Sequence, residues 1–122
     1  MGLLSRWLLG VEADASWAAR IRQAIDKCSV AVLRARVREV LSVDVLNLLA
    51  NIRVPVLYLQ ASRDGVVPAA ALIEIQRVLP GIQVAKIEGP HFLLQARPLP
   101  CAEQISMFVE RLMLAYDSSN AD

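Results

Sequence analysis

Long uncharged runs, aromatic residues, histidines and cysteines are all scarce in this chain, and each scarcity narrows what it can be. The longest stretches free of Asp, Glu, Lys and Arg are Val54–Ser62 and Gly65–Ile73, nine residues each. A membrane-spanning helix needs about 20 mostly apolar residues, so no membrane partner is expected. Arg6 breaks the apolar run Leu3–Leu9, and Met1–Gly10 does not read as a signal peptide. Cys28 and Cys101 are two isolated thiols. They have neither metal-ligand spacing nor the framework of a disulfide-stapled domain, which predicts no bound metal and a reducing, cytoplasmic setting. No internal repeat or low-complexity tract is present. The net charge is only +1, which predicts no strong pull toward nucleic acid or another polyanion.

What the chain has in quantity is aliphatic residues. Of 122 residues, 56% are hydrophobic and 20% charged, while aromatics supply only 5%. A disordered chain shows the opposite balance. The length suits one domain, or part of one, with a single core. Globular domains carry about 45–50% apolar residues even with glycine counted, so Val, Leu, Ile and Ala are in excess here. The excess implies either an unusually large core or apolar surface intended for another polypeptide.

Residues 12–53 read as helical. Trp17, Ile21, Ala24, Ile25 and Cys28 recur on one face, and Val30, Leu33, Val37, Val40 and Leu41 form a second stripe. Ser29 is placed to cap the second helix, and Asp44 to open a short segment Val45–Ala50. Val54–Gln60 is a β-rich run too apolar for a one-sided strand, which predicts burial on both faces, as in a parallel sheet. It ends in the turn Ala61-Ser62-Arg63-Asp64-Gly65. Pro68 suits the first position of a helix with Leu72, Ile75 and Leu79 inward, stopped by Pro80-Gly81. Ile82–Glu88 is a second strand, ending at Gly89-Pro90-His91. A last helix starts near Pro98, with Cys101, Ile105, Phe108, Val109, Leu112 and Tyr116 on one face, and 118–122 is a polar tail. Strand, crossover helix and strand in this order make a parallel pair. Two strands are few for an independent sheet.

Asp64 and His91 both fall just past the carboxyl ends of the two strands, the edge at which open α/β sheets bind ligands. A carboxylate there can fix the imidazole tautomer and stabilise the imidazolium formed when the ring takes a proton. Asp64 can also cap the helix behind Pro68. The motifs occur in a recognisable order: Ile52-Arg53-Val54-Pro55 into the strand, Asp64-Gly65-Val66-Val67-Pro68, Leu79-Pro80, Gly89-Pro90-His91, and Pro98 seven residues after the histidine. In that order, residues from about 44 to 112 resemble the C-terminal part of an α/β-hydrolase of the serine esterase and lipase-like kind. Ala61 stands where that family usually has glycine, and Gln95 where it often has glutamate. The resemblance implies Asp64 as triad acid and His91 as triad base in carboxylic ester hydrolysis, with no metal or organic cofactor. The family's nucleophile elbow, G-x-S-x-G before acid and histidine, has no counterpart in residues 1–63; Ser5, Ser16, Ser29, Ser42 and Ser62 lack its flanking glycines. The expected organisation is a helical, cap-like segment over 1–43, the partial α/β-hydrolase fold (β-α-β unit and C-terminal helix) over 44–117, and a tail over 118–122.

Other residues have plainer readings. Cys101 lies on the apolar face of the last helix and reads as a buried structural thiol rather than a substitute nucleophile. Arg20, Arg22, Lys27, Arg34, Arg36 and Arg38 read as a solvated face, with an acidic partner as the rival reading. Met107 and Met113 read as packing residues. Three functions remain open: a truncated hydrolase inactive by itself, a non-catalytic oligomerising domain, and an Arg-faced module for an acidic partner. With only two strands, the first strand would have an open apolar edge, so a homo-oligomer, such as a dimer, is expected.

Overall fold

The computed structural model describes residues 15–120. The reading of Met1–Gly10 and the last two positions of the expected tail lie outside the described residues. Eight elements follow in order: α1 Ala15–Asp26, α2 Val30–Ser42, α3 Leu46–Leu49, β1 Leu57–Ala61, α4 Ala69–Val78, β2 Gln83–Ile87, α5 Leu93–Ala96 and α6 Pro98–Ser119. The fold is mixed α/β and mostly helical, with one two-stranded sheet among the described residues.

β1 and β2 pair in parallel, from Leu57 opposite Gln83 to Ala61 opposite Ile87. The strand begins at Leu57 rather than Val54, and Pro55 explains the delay. Proline has no N–H to donate, so pairing starts with the Val56 carbonyl, which accepts from Gln83 N–H at 2.9 Å. Val54 is left exposed, and all of β1 is half-buried rather than buried on both faces. Pro68 sits one position earlier than expected, as the N-cap of α4, with extended backbone. The one-turn helix α5 has no forerunner in the periodicity. α6 continues through Ser118 and Ser119, where a tail is expected, and both hydroxyls donate back to carbonyls four residues earlier.

The main core is small and local. Ile87, Leu93 and Cys101 are its buried members, and Leu59 and Ala61 of β1 pack against them. α6 therefore lies across both strands, with α5 folded against it. The Arg111 guanidinium donates to Gln83 Oε1 at 3.2 Å, tying the flank of α6 to β2. α4 packs on α3 and buries Leu72.

The two leading helices are different. Ser29 caps α2 as expected, its hydroxyl accepting from Val32 N–H at 3.3 Å, and Asp44 accepts from Leu46 N–H at 3.0 Å. Yet α2 buries no residue, and Val40 and Leu41 are 74% and 81% exposed. Among the described residues, α1 and α2 make no extensive contact with any other element. In α1 the buried residue is Ala18, while Trp17 is partly exposed under the Arg20 guanidinium. Cys28 lies beyond α1 and is exposed.

Candidate functional site

The sheet ladder does not stop where the strands do. Ser62 N–H donates to the Ile87 carbonyl at 2.9 Å, and Arg63 N–H donates to the Gly89 carbonyl at 3.0 Å. The two turns are thus stitched together by backbone before any side chain is considered. Asp64 follows directly on one side, and His91 two residues on from Gly89 on the other. The His91 ring nitrogen Nδ1 lies 3.0 Å from both Asp64 Oδ1 and Oδ2. The two residues singled out by the sequence do meet, at the carboxyl end of the sheet.

Gly89 is there for space. A Cβ on it would stand 2.6 Å from Leu93 Cδ1 and 3.2 Å from Arg97 Cγ, and Leu93 belongs to the core. With Pro90 also buried, the approach to His91 is packed from beneath. His91 is flanked by Phe92, ring centroids 5.5 Å apart and tilted.

Asp64 is fixed by its own turn. Its Oδ1 accepts from Val66 N–H at 2.8 Å and Val67 N–H at 2.9 Å. These bonds tie the carboxylate within the loop, ahead of α4, so it serves the turn rather than the first turn of that helix. Burial of the carboxyl acts to raise its pKa, but the Val67 N–H, the His91 ring, the Val66 N–H and the charge on His91 together outweigh it. The carboxyl therefore lies below the ordinary aspartate range, and its side chain is only 16% exposed.

An ionised carboxylate can only accept, so the nitrogen facing it carries the proton. In the neutral ring, Nε2 then holds the lone pair and is the basic position. Asp64 and His91 both line a cleft of about 150 Å³ along the end of β1. Tyr58, Ser62 and Lys86 line it too; Tyr58 and Lys86 were not singled out by the sequence. The signal lay in the register: Lys86 pairs with Gln60, and Tyr58 shares the Gln60 face by strand alternation.

Cys101 is 1% exposed and does not line the cleft, and burial pushes its thiol pKa up. The basic residues of α1 and α2 do not line the cleft. An ion pair between Arg63 and Glu88, 3.2 Å apart, bridges the two turns, but both side chains are more than half exposed, a setting in which such pairs contribute little. Among the described residues, no three His, Cys, Asp or Glu side chains are grouped to hold a metal ion, and no helix is long and apolar enough to cross a membrane. Compared with family models, with curated proteins and with solved structures, the chain finds no match.

Proposed function

We propose that Asp64 and His91 are the acid and base of a serine-hydrolase-type triad suited to hydrolysis of small carboxylic esters, and that the nucleophile is not among these 122 residues. One observation carries the reading: His91 Nδ1 sits 3.0 Å from both oxygens of a carboxylate that two backbone N–H groups already hold. In a completed site, Nε2 would take the proton of a serine hydroxyl as it attacks the ester carbonyl. Asp64 would stabilise the imidazolium, and the ring would return the proton to the departing alkoxide. Neither a metal nor an organic cofactor is needed for that sequence.

Nucleophile and base act as a unit, so a base without its nucleophile contributes little. Purified chain incubated with p-nitrophenyl acetate is expected to match its His91→Ala variant in rate. Turnover that His91→Ala abolishes would mean that the chain holds a nucleophile of its own. The tautomer is tested separately by the 15N shifts of the ring: a neutral His91 protonated on Nε2 would overturn the assignment of that atom as base.

A second reading, a domain whose role is self-association, is favoured by exposed area. The chain exposes 9290 Å², whereas a compact monomer of its mass exposes about 6,500 Å². Obligate homodimers bury about 2,000–5,000 Å² in total, half from each copy, and the excess on one chain covers a contribution of that size. A reducing intracellular compartment fits both readings, since both thiols are free.

A further inference from the structure

The open side of β1 has a parity. Val56 accepts from β2 through its carbonyl and Ser62 donates to β2 through its N–H. In a parallel ladder, alternate residues bond the same neighbour, so Tyr58 and Gln60 also face β2. Leu57, Leu59 and Ala61 then turn their N–H and C=O groups to the other side, where the described residues provide no strand. This edge carries no charged residue, and so has none of the usual protection against pairing.

The same side of the molecule has an uncovered helix flank. α6 buries Cys101 and half-buries Phe108 and Leu112, while Arg111 on one side of that line reaches β2. On the opposite flank, next in helical rotation, are Ile105, Val109, Met113 and Tyr116, between 42% and 68% exposed. With Arg111 held at β2, this stripe runs on the β1 side. Neither edge nor stripe carries a charged residue, and with the stripe on the flank away from Arg111 the two together form the candidate surface.

We infer that this surface is a homodimer interface in which β1 pairs antiparallel with β1 of a second copy about a two-fold axis at Leu59. Leu59 then opposes its own counterpart, and Leu57 opposes Ala61 in both directions. Each pair exchanges N–H and C=O, the arrangement an antiparallel ladder requires. The result is a continuous four-stranded sheet, with the two α6 stripes brought against the same seam. A second copy fits better than a charged partner because neither the edge nor the stripe offers a charge to complement. A two-fold contact needs only self-complementarity. The inference rests on the self-association reading and is independent of the chemistry of His91.

Light scattering after gel filtration, at low micromolar concentration, is expected to give twice the chain mass. In that dimer the Leu59 and Ala61 amides are expected to exchange slowly with deuterium, and to lose this protection on dilution to monomer. Leu57→Pro removes an outward N–H at the first strand residue, where proline is tolerated, and is expected to give a monomer with unchanged circular dichroism. Val109→Lys, on exposed helix, is the check should Leu57→Pro fail to fold, and is expected to raise the dissociation constant about tenfold or more. A monomer in the unmodified chain would overturn both this inference and the self-association reading. A dimer whose Leu59 and Ala61 amides exchange freely, or which Val109→Lys leaves intact, would overturn the interface and leave self-association standing.

Discussion

The β-α-β half of the chain and the α1–α2 arm are built from similar residues and end up in different states. Both are rich in Val, Leu, Ile and Ala, and both have helices with an apolar stripe. In the first, one line of α6, through Cys101, Phe108 and Leu112, meets a sheet, and Cys101 falls to 1% exposure. In the second, Val30, Val37, Val40 and Leu41 of α2 are not buried by any described element and stay 59% to 81% exposed. Amphipathic pattern specifies a face that can be buried. What covers it depends on neighbours that a local pattern does not contain.

The widest expected gap between the two halves is chemical. Cys28 is exposed and Cys101 buried with a raised pKa, so a thiol reagent should label Cys28 at the rate of a free peptide. Cys101 should label only as fast as the sheet and α6 come apart. Equal rates for both would erase the contrast. In stability, Leu93→Ala is expected to cost about 2–4 kcal/mol by urea denaturation, as for other buried leucines, while Val40→Ala stays within about 0.5 kcal/mol. A comparable loss at Val40 would show that α2 is covered after all. Gly89→Ala should cost about 1–3 kcal/mol through overpacking. Its combination with Leu93→Ala should cost less than the sum, because the shortened side chain vacates the space a Cβ needs. Strict additivity there would place the strain elsewhere.

The smallest expected effect lies within the site. The Asp64 carboxyl is held below the ordinary range. Its contribution to stability is therefore complete above the unfolded value of about 3.9 and is lost as pH falls through the lower folded-state value. The stability difference between the chain and Asp64→Asn, followed by urea midpoints, should shrink as pH falls below about 4. A difference that grows on acidification would reverse the sign assigned to the carboxyl.

How far the sequence was legible follows from the reach of each signal. Turn chemistry is local, and Asp64-Gly65, Pro80-Gly81 and Gly89-Pro90 all punctuate the chain as expected. The Asp64–His91 encounter was legible because parallel strands leave few places for two consecutive carboxyl ends to go. The start of β1 was not: Val54 and Val56 look like strand residues, and Pro55 decides between them by a donor it lacks. Nor was α5, whose single turn Leu93–Ala96 is too short to show a period and is held by packing of Leu93 in the core. Exposure of the α2 stripe was the least legible, since capping by Ser29 and a regular apolar spacing are the same whether a helix is covered or bare.

The backbone bonds from Ser62 to Ile87 and from Arg63 to Gly89 decide what kind of control this site can be under. Carboxylate and ring are mounted on the ends of one ladder, not on a lid and a base. No hinge lies between them, so a ligand or modification acting at a distance has no rigid-body movement with which to part them. Short of dismantling the sheet, only rotation of the side chains themselves can do so. On the function proposed above, regulation of this pair would act on Nε2, through what is allowed to reach it.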